Sequence, residues 1–272
     1  MKKFQVKPPI AQSAMSGYST PQFCQKMLSY GVGLALLGAY AIDNKMSQAS
    51  LQILKRGRLE FILPDNEDDL DRWLKDRFPL IKKESTQLLG VNFRLVEPDE
   101  TSLKRIKMFL PYIDVIELNA HCRQHEVIVA GGGQALLTNL EKFEKIIQFL
   151  KENFSTKYIG VKIRGLALKD VERFCQIVNN NKVDFIHVDC MVVGKNKAEV
   201  EYIKKIHEKT PVTIIGNNSV RTIDDIKRMF AAGAEVVSIA RPLIKEPEFI
   251  KELIKRWRTF EIKHKLNSGE TS

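Results

Sequence analysis

The run Ile116-Glu-Leu-Asn-Ala-His-Cys-Arg-Gln-His125 delivers an amide, Asn119, and a thiol, Cys122, from an apolar stretch into a polar loop. A glycine-rich turn, Ala130-Gly-Gly-Gly-Gln-Ala-Leu-Leu137, follows it. An amide and a thiol so placed suit a flat heterocycle that must be held and given a proton. Thiols titrate near ~8.5, so at neutral pH they still carry a proton to give. An inert core cysteine is the alternative, and the polar neighbours of Cys122 argue against it. His121, Cys122 and His125 also suggest metal ligands, but no acidic cluster or second cysteine nearby completes the usual set.

A second chemical segment is Val161-Lys-Ile-Arg164. A lysine flanked by Val161 and Ile163 must point where its charge is solvated or paired. Strand alternation puts Arg164 on the same side, as a candidate for substrate or phosphate. A third is the pair Val212-Thr-Ile-Ile-Gly-Asn-Asn-Ser-Val220 and Gly233-Ala-Glu-Val-Val-Ser-Ile-Ala-Arg-Pro242. Backbone N–H groups of such small-residue turns cradle a dianion. Arg241 adds a bidentate charged donor.

The elements that carry these residues read as short apolar runs alternating with amphipathic helical patterns. Eight runs fit strands: Ile10–Ala14, Gly33–Leu37, Leu88–Phe93, Asp114–Leu118, Ile159–Ile163, Asp184–Val188, Val212–Ile215 and Glu235–Ile239. Buried parallel strands are continuously apolar in this way. Helical spacing marks Leu140–Glu152, Lys169–Val178 and Ile223–Ala232. Eight such repeats predict an α/β TIM barrel, a single domain over residues 1–260, with 261–272 as a short polar tail. The stretch between Leu37 and Leu88 is longer than the other units. It holds the basic Lys45–Arg58, the apolar Phe61-Ile-Leu63 and the acidic Asp65–Asp69, room for a small insertion over the barrel mouth. A barrel of this kind works at the loops after its strands, so all the segments above should converge.

Bulk properties narrow the class. The chain has 272 residues and a formal charge of +10, which invites a polyanionic partner; a charge-rich, heat-adapted surface reads the same way. Cys24, Cys122, Cys175 and Cys190 form no Cys-x-x-Cys pair, and their wide spacing predicts free thiols. No apolar run reaches the ~18 residues of a membrane span. The start lacks the apolar core of a signal peptide. A soluble cytoplasmic protein, with no membrane partner, is the expectation.

The order of these motifs resembles the dihydrouridine synthases, FMN-dependent barrels that reduce uridine in tRNA. Their active-site loop reads Asn-x-Gly-Cys-Pro, then Gly-x-Gly-x-x-Leu-Leu. Asn119 and Cys122 match it, with His121 and Arg123 as departures. Ser13-Ala-Met-Ser-Gly-Tyr18 is similar to the family's Ala-Pro-Met-x-Gly at Met15 and Gly17. Asn92 stands where the family has Gln, Ala240 where it has Gly, and Asn218 where a second Gly would accept positive φ. On strand six, Asp189 takes the position of the family's His. His187, one step out of register, is expected to face the helices as a hydrogen-bonded packing residue.

The resemblance implies FMN held by Met15, Asn92, Asn119, Lys162, Asn217, Ala240 and Arg241. It implies Cys122 as the acid that protonates uracil and Lys162 as the partner of the flavin ring. Arg164 and Asp189 would face the substrate, NAD(P)H would supply electrons, and tRNA would be the partner. Typical members continue into a helical domain that grips tRNA. Here one helix, Glu248–Phe260, follows strand eight, leaving the barrel rim, the Lys45–Arg58 stretch or another subunit to hold RNA. Three alternatives stay open: an FMN enzyme acting on a small molecule, as dihydroorotate dehydrogenases do; a flavin-free phosphate-binding barrel; and a non-catalytic RNA-binding module. The oligomeric state is not legible.

Overall fold

A computed structural model describes residues 3–192, 194 and 197–268, with side chains through Ile262. Eight parallel strands close into a barrel in sequence order. They are β1 (Ile10–Gln12), β2 (Leu34–Ala41), β3 (Leu88–Arg94), β4 (Val115–Ala120), β5 (Tyr158–Arg164), β6 (Phe185–Asp189), β7 (Thr213–Asn217) and β8 (Val236–Ile239). Every predicted strand is present, and the fold is the predicted TIM barrel. The helical patterns become Leu140–Asn153, Val171–Asn180 and Ile223–Ala231. The last of these starts at a reciprocal cap between Thr222 and Asp225, which satisfies donors that a helix start leaves open. The final helix runs Phe249–Ser268, past Phe260 and into the segment read as a polar tail; residues 269–272 lie outside the described residues.

Strand alternation sorts the barrel interior into layers. At the bottom, Leu34, Leu36, Val115, Phe185, Ile215 and Val236 form an apolar plug, closed below by Phe4 and Val6. Gly90 and Gly160 sit at this level because a Cβ there would collide with Leu36 and with the Phe185 ring. Two residues further along the same strands the layer turns polar, with Asn92, Glu117, Lys162, His187 and Ser238 all buried. The next layer opens to the mouth. Outward-facing residues such as Ile116, Val161 and Ile186 pack in the main core, shared with the helices.

The insertion after β2 begins with a helix, Asn44–Lys55, capped by Asp43. The Asp43 carboxylate also accepts from the Val96 backbone at 2.6 Å, tying the exits of β2 and β3 together. The chain then crosses the mouth. Leu59 lies directly on Gly17, whose φ of +80° and lack of a Cβ permit that approach. Among the described residues, no helix is long and apolar enough to cross a membrane.

Candidate active site

The mouth is a cavity of about 900 Å³. Met15, Asn119, Cys122, Lys162, Arg164, Asp189, Asn217, Ala240 and Arg241 all line it. Five strand ends and the loop after β1 therefore bring together residues up to 226 positions apart, counted from Met15 to Arg241. Asn92 lies one layer below. It is 1% exposed, its Nδ2 donates to Glu117 Oε1 at 2.7 Å, and its Oδ1 accepts from Asn119 Nδ2 at 2.8 Å. Its amide is committed to orienting Asn119.

Asn119 in turn fixes the cysteine loop. Its Oδ1 accepts the backbone N–H of Cys122 at 2.9 Å and of His121 at 3.2 Å. Cys122 is half-buried, whereas Cys24, Cys175 and Cys190 are buried, and all four thiols are free. Gly133, at φ +54°, packs on the Cys122 carbonyl, where a Cβ would stand 2.2 Å from that oxygen. The glycine-rich turn is thus the backing of the cysteine loop.

His187 does not face the helices. It points into the barrel, in register with Lys162, with Nδ1 2.6 Å from Glu117 Oε2 and Nε2 2.6 Å from Ser238 Oγ. It is hydrogen-bonded, as expected of a buried histidine, but on the opposite face. Burial works against the charge on Glu117, yet His187 and Lys162 outweigh it and hold the carboxyl below its usual range. Burial and the nearby Lys162 lower the His187 imidazole despite the pull of Glu117. The consistent proton arrangement is a neutral His187 donating from Nδ1 to Glu117 and accepting the Ser238 hydroxyl proton at Nε2. Ser238 Oγ then accepts from Asn217 Nδ2 at 2.7 Å. One line of hydrogen bonds runs from the Cys122 backbone through Asn119, Asn92, Glu117, His187 and Ser238 to Asn217.

Lys162 is 3% exposed and donates to the Ser13 hydroxyl. Burial lowers its ammonium, and Glu117 and Asp189 offset part of that. Asp189 accepts from Arg164 at 3.2 Å and lies 2.6 Å from His121 Nε2. Burial would raise the Asp189 carboxyl, but His121, Arg164 and Lys162 hold it well below the usual carboxylate range. Burial lowers the His121 imidazole, with Asp189 pulling the other way; a quarter of its side chain stays exposed. Arg164 keeps a buried Nε with no partner. Burial lowers its guanidinium, and Arg123 and Arg241 push the same way. The turn after β7 carries Asn218 at φ 95° and Ser219 at φ 55°, so Asn218 does accept the left-handed backbone expected of it.

Sequence reasoning passed over Glu117, Ser238, Arg94 and Glu60. For Glu117 a signal existed: a carboxylate inside Val115-Ile-Glu-Leu-Asn needs a buried partner. Arg94, on the outgoing end of β3, is fully inside and pairs with Glu60 at 2.9 Å. Nothing in the sequence joins those two. Among the described residues no group of three or more His, Cys, Asp or Glu is gathered as a metal would require.

A sequence profile of the family described as dihydrouridine synthase matches residues 75–271. The chain belongs to the dihydrouridine synthase family. As a member it is an oxidoreductase. It is 33% identical to an uncharacterized protein of Methanocaldococcus jannaschii over 254 residues, 90% of this chain and 93% of that one. It is 26% identical to a probable tRNA-dihydrouridine synthase of Helicobacter pylori, over 51% of this chain and 44% of that enzyme. In structure this family member resembles a dihydroorotate dehydrogenase of Eimeria tenella, with a TM-score of 0.64 over 91% of this chain and 79% of that one. At 14% identity that likeness concerns the fold alone.

Proposed function

We propose that this protein is an FMN-dependent reductase of a carbon–carbon double bond, with uridine in tRNA as the substrate. The observation that carries the reading is the placement of Cys122 and Lys162 in one cavity with the β7 and β8 turns. The residues present fit the cofactor. The cavity is within the ~300–1,000 Å³ typical of small-molecule and cofactor sites. The Asn218–Ser219 turn and Arg241 would hold its phosphate. The buried Lys162 would face the ring, and the Nε of Arg164 still lacks a partner.

When bound and reduced, FMN supplies a hydride to one carbon of the double bond; NAD(P)H is the proposed source of its electrons. The protein does the rest. Asn119 holds the Cys122 loop so that the thiol faces the cavity, and Cys122 gives its proton to the neighbouring carbon. Lys162 offsets negative charge at the ring. Of the described lining residues, eight carry a cation, and two, Glu60 and Asp189, a carboxylate. That excess exceeds what one phosphate and one ring can neutralise and supports a polyanionic substrate such as RNA.

The test begins with the visible spectrum of the purified protein, which should show flavin. Single-turnover oxidation of the reduced protein by tRNA then compares wild type with Cys122→Ala. The variant should still bind flavin and accept electrons, while product formation falls by about 10²–10⁴, the scale of a placed general acid. Equal rates would remove Cys122 from the mechanism. A colourless protein that binds no added FMN would remove the flavin. Turnover of free dihydroorotate or orotate but not tRNA would move the substrate to small molecules.

A further inference from the structure

His121 stands immediately before Cys122 and lines the same cavity. It is held at two points. Its backbone N–H donates to Asn119 Oδ1 at 3.2 Å, at the end of β4. Its ring Nε2 lies 2.6 Å from Asp189 Oδ2, at the end of β6. Arg164 Nη2 is 3.1 Å from the same ring nitrogen and 3.2 Å from the same carboxylate oxygen. The ring Nδ1 has no hydrogen-bond partner among the described residues, and a quarter of the side chain is exposed.

The shorter of the two contacts to Nε2 assigns the tautomer. Against the effect of burial, His121, Arg164 and Lys162 keep Asp189 ionised. A carboxylate oxygen 2.6 Å from a ring nitrogen requires a proton between them. That proton is on Nε2, and Arg164 is a second donor to the carboxylate rather than a donor to the ring. Burial lowers the imidazole to about 4, so at neutral pH it carries this one proton. Nδ1 is therefore a bare lone pair, fixed in that state by the bond on the other nitrogen.

Such an acceptor is scarce in this cavity. The lysine and arginine side chains that line it supply donors alone. Both carboxylates among the described lining residues are occupied. Besides His121 and Arg164, Asp189 takes the Met191 N–H at 3.0 Å. Glu60 takes Arg94, the Ser16 hydroxyl and the Phe61 N–H. A ring that brings an N–H to the mouth beside Cys122 meets an open acceptor at His121.

We propose that His121 selects the pyrimidine: its Nδ1 accepts the imide N3–H of uracil and turns away cytosine, whose N3 carries a lone pair at the same place. This role rests on the reading that a uracil ring enters the cavity. A site built to hydrogen-bond a substrate N–H rejects the analogue lacking it, because its own polar group is then left unpaired. Asp189 is a positioning residue here. It holds the proton on the far nitrogen and keeps the near one open.

The experiment is imidazole-nitrogen NMR on the isotope-labelled intact protein, the His121 signals being those lost in His121→Leu. Alone, the protein should show Nε2 protonated and Nδ1 bare. Uridine monophosphate should move the Nδ1 signal towards that of a hydrogen-bonded nitrogen, while cytidine and N3-methyluridine monophosphates should not. Titration should show uridine monophosphate binding about tenfold or more tightly than either, the scale of one hydrogen bond lost. In His121→Leu the three should bind alike; His121→Phe serves if the leucine variant does not fold. A protonated Nδ1, an Nδ1 signal that uridine monophosphate leaves unmoved, or a preference that survives without the imidazole would each overturn the proposal and leave His121 as a clasp for Asp189. The measurement needs neither flavin nor turnover. A protein with this preference that fails to reduce tRNA keeps the selection and loses the reaction. One that reduces tRNA but lacks the preference keeps the reaction and loses the selection.

Discussion

Glu117 and His187 meet across the barrel at 2.6 Å, 70 residues apart in sequence and both without solvent exposure. The carboxylate stands at the middle of the hydrogen-bond line between the cysteine loop and the β7 strand end. One oxygen serves Asn92 and the other His187. Its charge fixes the direction of each donor on both sides. It is also a counter-charge for the buried Lys162.

Glu117→Gln should therefore cost far more than a surface change. The neutral amide turns an N–H toward His187 Nδ1 or forces the ring to change tautomer, and Lys162 loses a partner. Breaking a buried charged pair costs about 3–5 kcal/mol, so the urea midpoint should fall accordingly. A loss below about 1 kcal/mol, the scale of an ordinary net hydrogen bond, would show that the network does not depend on the charge.

If the protein works with FMN as proposed, Lys162→Met should leave a folded protein that retains flavin but reduces it slowly. The loss should be roughly 10- to 100-fold, equivalent to about 1.5–3 kcal/mol for a charged hydrogen bond. Stopped-flow reduction by NAD(P)H measures it. A variant that unfolds while its folded fraction reacts at the normal rate would make Lys162 a structural partner of Glu117 and Asp189.

Acid should destabilise the fold in a defined window. Unfolded histidines take up protons below about pH 6.5. Burial depresses both His121, to about 4, and His187. The unfolded chain thus binds more protons over this range, and stability rises with pH. The stabilisation is complete above about 6.5 and is lost as pH falls toward about 4. Melting temperature should drop between pH 7 and pH 5, and less steeply in His121→Gln. A flat profile in wild type would contradict neutral buried histidines.

Gly160→Ala should destabilise the barrel, since the new Cβ would stand 2.2 Å from Phe185 Cζ. Overpacking of this kind costs about 1–3 kcal/mol. Phe185→Leu in the same chain should relieve part of it, because the two changes share one space. Strictly additive losses in denaturant unfolding would place the strain elsewhere.

The sequence by itself determined the eight strands, the barrel and the convergence of Cys122, Lys162, Asn217 and Arg241. Those follow from local signals: apolar runs of strand length, polar residues just beyond them, and a fold that works at its strand ends. Alternation also predicted that Lys162 and Arg164 share a face. What only the tertiary structure decided is which side chains meet across the interior. Asn92 sits one layer under the cavity because its amide is taken by Glu117 and Asn119. His187 turns inward because the register of β5 and β6 aligns it with Lys162. Glu60 reaches Arg94 from an insertion with no regular pattern. Periodicity assigns a residue to a face of its own strand, but barrel closure and strand stagger set its height and its neighbours around the ring. Buried charges find partners by those two coordinates, which a linear chain does not contain.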